Sequence, residues 1–310
     1  MMPKELVKEK GELFSQNRYD FDPKILDKED IKEIKGLVKE KRVDYGIAPI
    51  GTDIFSFIRQ KEPNIFFEKE QFSNKLDALI YLPNPNKDLG FIILNSNQPL
   101  INQVFATAHE YYHYIKDLDE IRTNPRVCSL ESMKNKNEQK ASRFAAEFLL
   151  PDEALRINVE EWSGIFNMDW KKNDLIHWSI FCCKVAIRYC IPLKALLYRL
   201  CEEGYINDIS KYLSNYAFIK RIFNELSIRY IDKAKELMDT KNIYVEEIMY
   251  DLIPKAYNCG YVGLETVEKD LAILGLEKDL LKQLEENDNI VEDEDINPKL
   301  KSKLLAKLNR

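Results

Sequence analysis

The order of apolar and polar positions divides the chain into recognisable segments. Ile31, Ile34, Leu37 and Val38 form a modest helical stripe inside a highly charged N-terminal stretch, which predicts a helical lead-in over residues 1–45. "DIFSFIRQ" (53–60) reads as a further helix. "NIFFEKEQF", "LDALIYLP" and "GFIILNS" are short, aromatic or β-branched runs and read as three strands. Between the last two, "NPNKDLG" (84–90) has turn chemistry. A helix is expected from about Asn97, with Asn97 as its cap and Pro99 in its first turn. Its buried stripe is Ile101, Val104, Phe105, Ala108, Tyr112 and Ile115. The polar segment 119–136 reads as a loop. "NEQKASRFAAEFLLP" (137–151) is a second helix stopped by Pro151.

Residues 152–204 read as helical, interrupted at Ile191-Pro192. Beyond Gly204 the helical pattern continues, with a break at 257–263, an acidic run "VEDEDINP" read as a solvated linker and a basic amphipathic tail. The pattern predicts an α+β chain: a small sheet of about three strands with its helices, followed by a mostly helical C-terminal half. The expected boundaries are 1–45, 46–160, 161–206 and 207–310.

Composition narrows the function classes. The 310 residues are 45% apolar and 32% charged, enough to bury a core and stay soluble. A net charge of −6 weighs against a dedicated nucleic-acid binder. No apolar run approaches the roughly 20 residues of a membrane helix, and "MMPKELVKEKGELF" has no signal-peptide core. The six cysteines show no CxxC pair and no framework spacing, so a reduced, cytoplasmic protein is expected.

The chain has three histidines, and two of them, His109 and His113, lie four residues apart in "ATAHEYYHYIKDLD". On a helix they project from one face and can offer two imidazole nitrogens to one ion. Glu110 points about a quarter turn away, poorly placed as a ligand but well placed to take a proton from a water activated by the metal. Three carboxylates compete to close the site. Asp119 requires a sharp turn after His113, where the sequence has Lys116 rather than glycine. Glu138 opens the second helix. Glu147 lies on that helix roughly 180° around the axis from Glu138. The geometry favours Glu138. Imidazole and carboxylate donors accept zinc or manganese.

"QVFATAHEYYHYI" followed by "NEQKASRFAAEFLLP" resembles the ImmA/IrrE family of metallo-endopeptidases. Phe105, Ala108, His109, Glu110 and His113 fit its first block. Glu138, Ala141, Phe144, Ala145, Leu149, Leu150 and Pro151 fit its second. The resemblance implies a compact zincin-like metallopeptidase core over 46–160 and a helix-turn-helix-like region over 161–206. It also implies Glu138 as third metal ligand and a specific protein substrate, often a helix-turn-helix repressor. Ser142 stands where the family usually has asparagine, and Tyr111 and Tyr112 where small or aliphatic residues are common. The resemblance assigns nothing to 207–310.

The expected chemistry is peptide hydrolysis with Glu110 as general base. His177 or a tyrosine is the candidate oxyanion donor. An extended substrate is expected to pair with an edge strand, "GFIILNS" or its neighbour. The rival reading is a DNA- or protein-binding regulator whose metal site lacks proteolytic activity. Lys184, Arg188, Lys194 and Arg199 around Pro192 would be its phosphate-facing surface.

Overall fold

The computed structural model describes residues 26–71, 76–82, 89–123, 126–129, 136–166, 175–229, 237 and 256–273. It divides into two compact units, 1–242 and 243–310. The described chain is α+β, with a small sheet and a larger share of helix.

α1 (Lys28–Lys41) starts at a capping box. The Asp27 side chain accepts from the Glu29 and Asp30 backbone N–H groups, each at 2.9 Å, and Asp30 accepts from Asp27 N. Ile34 and Val38 are buried, and the helix lies against α5 (Lys136–Leu149). Arg42 closes α1 and is itself buried. Its guanidinium donates to the carbonyls of Gly46, Ala48 and Phe148, which satisfies it without a carboxylate. α2 (Ile54–Lys61) buries Ile54, Phe55, Phe57 and Ile58.

The three expected strands are present as β1 (Ile65–Glu70), β2 (Leu76–Tyr81) and β3 (Gly90–Asn95). The sheet order is β1-β3-β2-β4, with β4 at Arg126–Ser129. β1 runs parallel to β3, and β2 is antiparallel to both β3 and β4. Two expectations are corrected here. "GFIILNS" itself is an interior strand, flanked on both sides; among the described residues the edges are its neighbour β1, the alternative expected, and β4. Part of the segment expected as a loop forms a helical turn, α4 (Leu118–Thr123), and then β4. Alternation sorts the sheet faces. Ala78, Ile80, Ile92 and Leu94 are buried under α3 (Leu100–Lys116), while Phe66, Phe91 and Tyr81 form an aromatic row on the other face, with centroids 5.5 Å apart at each step. Gly90 permits close approach to α3: a Cβ there would stand 3.1 Å from the Tyr114 ring.

α3 begins later than the sequence suggests. Its N-cap is Pro99, whose carbonyl accepts from Asn102 and Gln103 N–H. Asn97 does not cap it; instead the Asn95 side chain accepts from Asn97 N at 3.0 Å, a local turn that competes with helix. From Leu100 to His113 every residue of α3 is buried.

The helices that follow are α6 (Asp152–Phe166), α7 (Leu175–Tyr189), α8 (Leu193–Glu202), α9 (Ser210–Ser214) and α10 (Tyr216–Arg229). The break at Ile191-Pro192 occurs as expected. Cys190 takes φ 54° at the end of α7, and Ile191 N donates back to Ala186 O at 3.1 Å. A buried ionic cluster joins α5 to α8. Arg143 Nη1 donates to Glu147 Oε2 at 2.8 Å, and Arg199 Nη2 lies 2.9 Å from the same oxygen. Glu203 accepts from Arg199 at 2.6 Å and Arg143 at 3.0 Å. Arg143 Nε lies 2.8 Å from Glu202, an ionic contact outside hydrogen-bonding geometry.

In the second unit, α11 (Leu264–Ile273) follows a turn with Gly260 at φ 69° and buries Val267. The acidic run and basic tail, and most of the turn at 84–90, lie outside the described residues. Among the described residues no helix is long and apolar enough to cross a membrane.

Candidate metal centre

α3 and α5 pack side by side, and the tyrosines between the two histidines form much of that contact. Tyr112 meets Phe144 at 5.5 Å, and Tyr111 meets Phe148 at 5.8 Å while donating its hydroxyl to Glu62 at 3.1 Å. The packing brings the first turn of α5 alongside the last turns of α3. There His109 Nε2 lies 3.2 Å from His113 Nε2 and 3.1 Å from Glu138 Oε2, and His113 Nε2 lies 3.4 Å from Glu138 Oε1. These three residues are buried, and their potential ligand atoms all lie within 4.8 Å of one another. Among the described residues no other group of histidine, cysteine or carboxylate side chains meets in this way.

The remaining ring nitrogens are also engaged. His113 Nδ1–H donates to Asp117 Oδ2 at 2.7 Å, and His109 Nδ1 lies 3.3 Å from Ser142 Oγ. With each Nδ1 turned to a partner, both Nε2 atoms face one point, the arrangement that metal-ligating histidines use. Sequence reasoning missed both partners. Their signal is spacing: Asp117 follows His113 by one helical turn, and Ser142 follows Glu138 by one turn.

The electrostatics fit a cation. Burial favours a neutral His113, yet the hydrogen bonds to Asp117 and Glu138 and the nearby Glu110 charge outweigh it and raise its pKa to about 9. Burial would push Glu138 up, but His109 and His113 hold it well below the usual carboxylate range. Three carboxylates, Glu110, Asp117 and Glu138, therefore surround two imidazoles. That excess of negative charge, with two nitrogens and a carboxylate oxygen converging, suits one divalent metal. Glu110 is buried beside His109 on α3.

The other sequence candidates sit elsewhere. Asp119 is exposed and accepts from Arg122 at 2.7 Å. Glu147 is bound by the two arginines and by Asp152 N at 2.7 Å. His177 is half-buried on α7, which packs against α8 and α10. Arg199, expected on a phosphate-facing surface, is buried with its charge consumed by Glu147 and Glu203. Arg188 reaches Asn158 at 3.2 Å and Lys184 lies 5.0 Å over the Trp162 ring.

Residues 60–201 match the peptidase M78 family, described as an IrrE N-terminal-like domain. The match spans β1 to α8 and takes in the whole histidine–glutamate cluster. It agrees with the ImmA/IrrE resemblance of the two sequence blocks and supports a metallopeptidase-type function and a protein substrate. No curated protein matches the chain.

Proposed function

We propose that this chain is a cytoplasmic, zinc-type metallo-endopeptidase that cleaves a specific protein substrate, of which a helix-turn-helix repressor is the leading class. The observation that carries the reading is the convergence of His109 Nε2, His113 Nε2 and the Glu138 carboxylate in a buried cluster with Glu110 and Asp117 close by. His109, His113 and Glu138 are the metal ligands, with zinc favoured and manganese acceptable to the same donors. When bound there, the metal supplies Lewis acidity, lowering the pKa of water and polarising a carbonyl. Glu110 takes the proton of the attacking water and returns it to the leaving amine. Asp117 and Ser142 keep the two imidazoles in the tautomer that presents Nε2. An extended substrate segment pairs at a sheet edge, which β1 and β4 offer and β3 does not.

A peptidase loose among cytosolic proteins needs contacts remote from the reacting bond for its selectivity. The test has two arms. Metal content is measured on His109→Ala, His113→Ala, Glu138→Ala and Asp119→Ala, with loss expected in the first three only. Glu110→Gln should retain metal and fold, lose cleavage by several orders of magnitude, and trap the uncut partner in a pull-down. Ordinary activity in Glu110→Gln would refute the mechanism. Rapid digestion of casein alongside an untouched repressor would refute the specific-substrate reading.

A further inference from the structure

α3 and α5 carry the donor groups, but residues 117–135 separate them, and a connection of that length does not fix the register of two helices. Metal coordination tolerates deviations of only about 0.2 Å in ligand distances. The aromatic contacts of Tyr111 and Tyr112 hold the two helices along their length. At the end where the ligands lie, a third helix joins them. Lys116, in the last turn of α3, and Lys140, two residues beyond Glu138 on α5, both reach Glu33 of α1. Lys116 Nζ lies 2.9 Å from Glu33 Oε1, and Lys140 Nζ lies 3.4 Å from Oε2. One turn earlier on α1, Asp30 takes Lys140 at 2.9 Å and Lys136 at 2.7 Å. Asp30 is nearly buried and fixed by the capping box that starts α1.

The geometry points to α1 as a clasp, with Glu33 and Asp30 as positioning residues that set the spacing of the two metal-site helices. This rests on the metal-centre reading above. α1 lies before the matched segment, which begins at residue 60. The acids touch no ligand; they act through lysines rooted beside His113 and Glu138. Asp30 grips α5 and Glu33 straddles both helices, so removing Glu33 frees the end of α3 from α5 while leaving α1 docked. Glu33 is half-exposed, and half-exposed pairs contribute little to folding itself. The effect therefore belongs in metal affinity more than in stability.

The experiment uses the full chain and measures the Zn2+ dissociation constant by competition with a chromophoric chelator. Glu33→Gln should weaken binding about fivefold, equivalent to about 1 kcal/mol, with the melting temperature of the metal-free protein almost unchanged. Lys116→Met should reproduce the loss and Lys116→Arg should restore affinity. Asp30→Asn should add to it, and the Glu33 variant keeps the test informative if the buried change fails to fold. Glu160→Gln, which removes an exposed pair with Arg156 on α6, is the control and should bind as wild type. A Glu33→Gln affinity within twofold of wild type would overturn the clasp, as would an equal loss in the control. Absence of Zn2+ binding by the wild type would remove the metal centre and the clasp with it.

Discussion

Replacing Glu147 with alanine removes the carboxylate that two buried guanidinium groups share. Arg143 and Arg199 each have side chains 1% exposed, and Glu147 is 3% exposed, so water cannot take over the lost contacts. Removing one partner of a buried ion pair costs about 3–5 kcal/mol, because the remaining charge stays desolvated. Glu203 still serves both arginines, and Glu202 still faces Arg143, which places the ionic loss near the lower end. Glu147 Oε1 also accepts the Asp152 N–H where α6 begins, and losing such a cap costs about 1 kcal/mol. The expected total is about 3–4 kcal/mol. With a urea m-value of about 3 kcal/mol/M, the unfolding midpoint should fall by about 1 M.

The assay is urea denaturation followed by far-UV circular dichroism, with metal content measured on the same samples. Metal content should stay at the wild-type level. The carboxylate also sets a pH signature. Burial would raise the pKa of Glu147, but Arg199 and Arg143 outweigh it and hold the group below its ordinary value. A carboxylate depressed in the folded state adds stability above its unfolded pKa of about 4.3, and that stability is lost as pH falls towards the folded value. Glu147→Gln should therefore flatten the acid limb of the stability profile below about pH 4.3. A midpoint within 0.3 M of wild type (about 1 kcal/mol) would refute the energetic argument. Loss of metal with unchanged stability would return Glu147 to the list of ligands.

Asp117→Asn should weaken Zn2+ binding about 10- to 100-fold in chelator competition, the usual effect of losing a carboxylate behind a ligating histidine. Ser142→Ala should cost less, since a neutral hydroxyl at 3.3 Å holds a ring more weakly than a carboxylate at 2.7 Å, and equal losses would contradict this ranking. Gly90→Ala should destabilise by about 1–2 kcal/mol through overpacking against Tyr114. A double-mutant cycle with Tyr114→Ala should recover most of that, and an unrelieved penalty would place its cause elsewhere.

What could be read from the chain was local. The periods of "DIFSFIRQ", the three strands and "NEQKASRFAAEFLLP" each lie within one element, so a short window carries them. The start of α3 was misread because the side chain of Asn95, outside the helix, takes the N–H of Asn97. β4 has four residues in a polar stretch, too few for alternation, and its partner β2 lies far back in the sequence. At the site, His109, Glu110 and His113 share one helix and announce themselves. Glu138 needed the folding back of a second helix, and the resemblance agreed with it. The clasp and the arginine cluster were invisible for a different reason. Lysine, arginine and carboxylate read as surface residues, and only the fold shows which of them meet across tens of residues.

The region around Pro192 shows such a meeting of charges in the interior. Four cations read there as a surface for phosphate. Arg199 instead enters the interior and meets Glu147 on α5, Arg188 is tied to Asn158, and Lys184 lies on Trp162. Arg199, Arg188 and Lys184 are thus engaged by the protein itself. The consequence falls on the metal-site helix. α5 is held at its first turns by Asp30 and Glu33 of α1, and at its last turns by Arg199 of α8 and by Arg42, which donates to Phe148 O at 2.6 Å. The helix that carries Glu138 to His109 and His113 is thus tied to neighbouring elements at both ends. The helical pair around Pro192 is tied by Arg199 to the end of α5 that carries Glu147, two turns and more beyond Glu138.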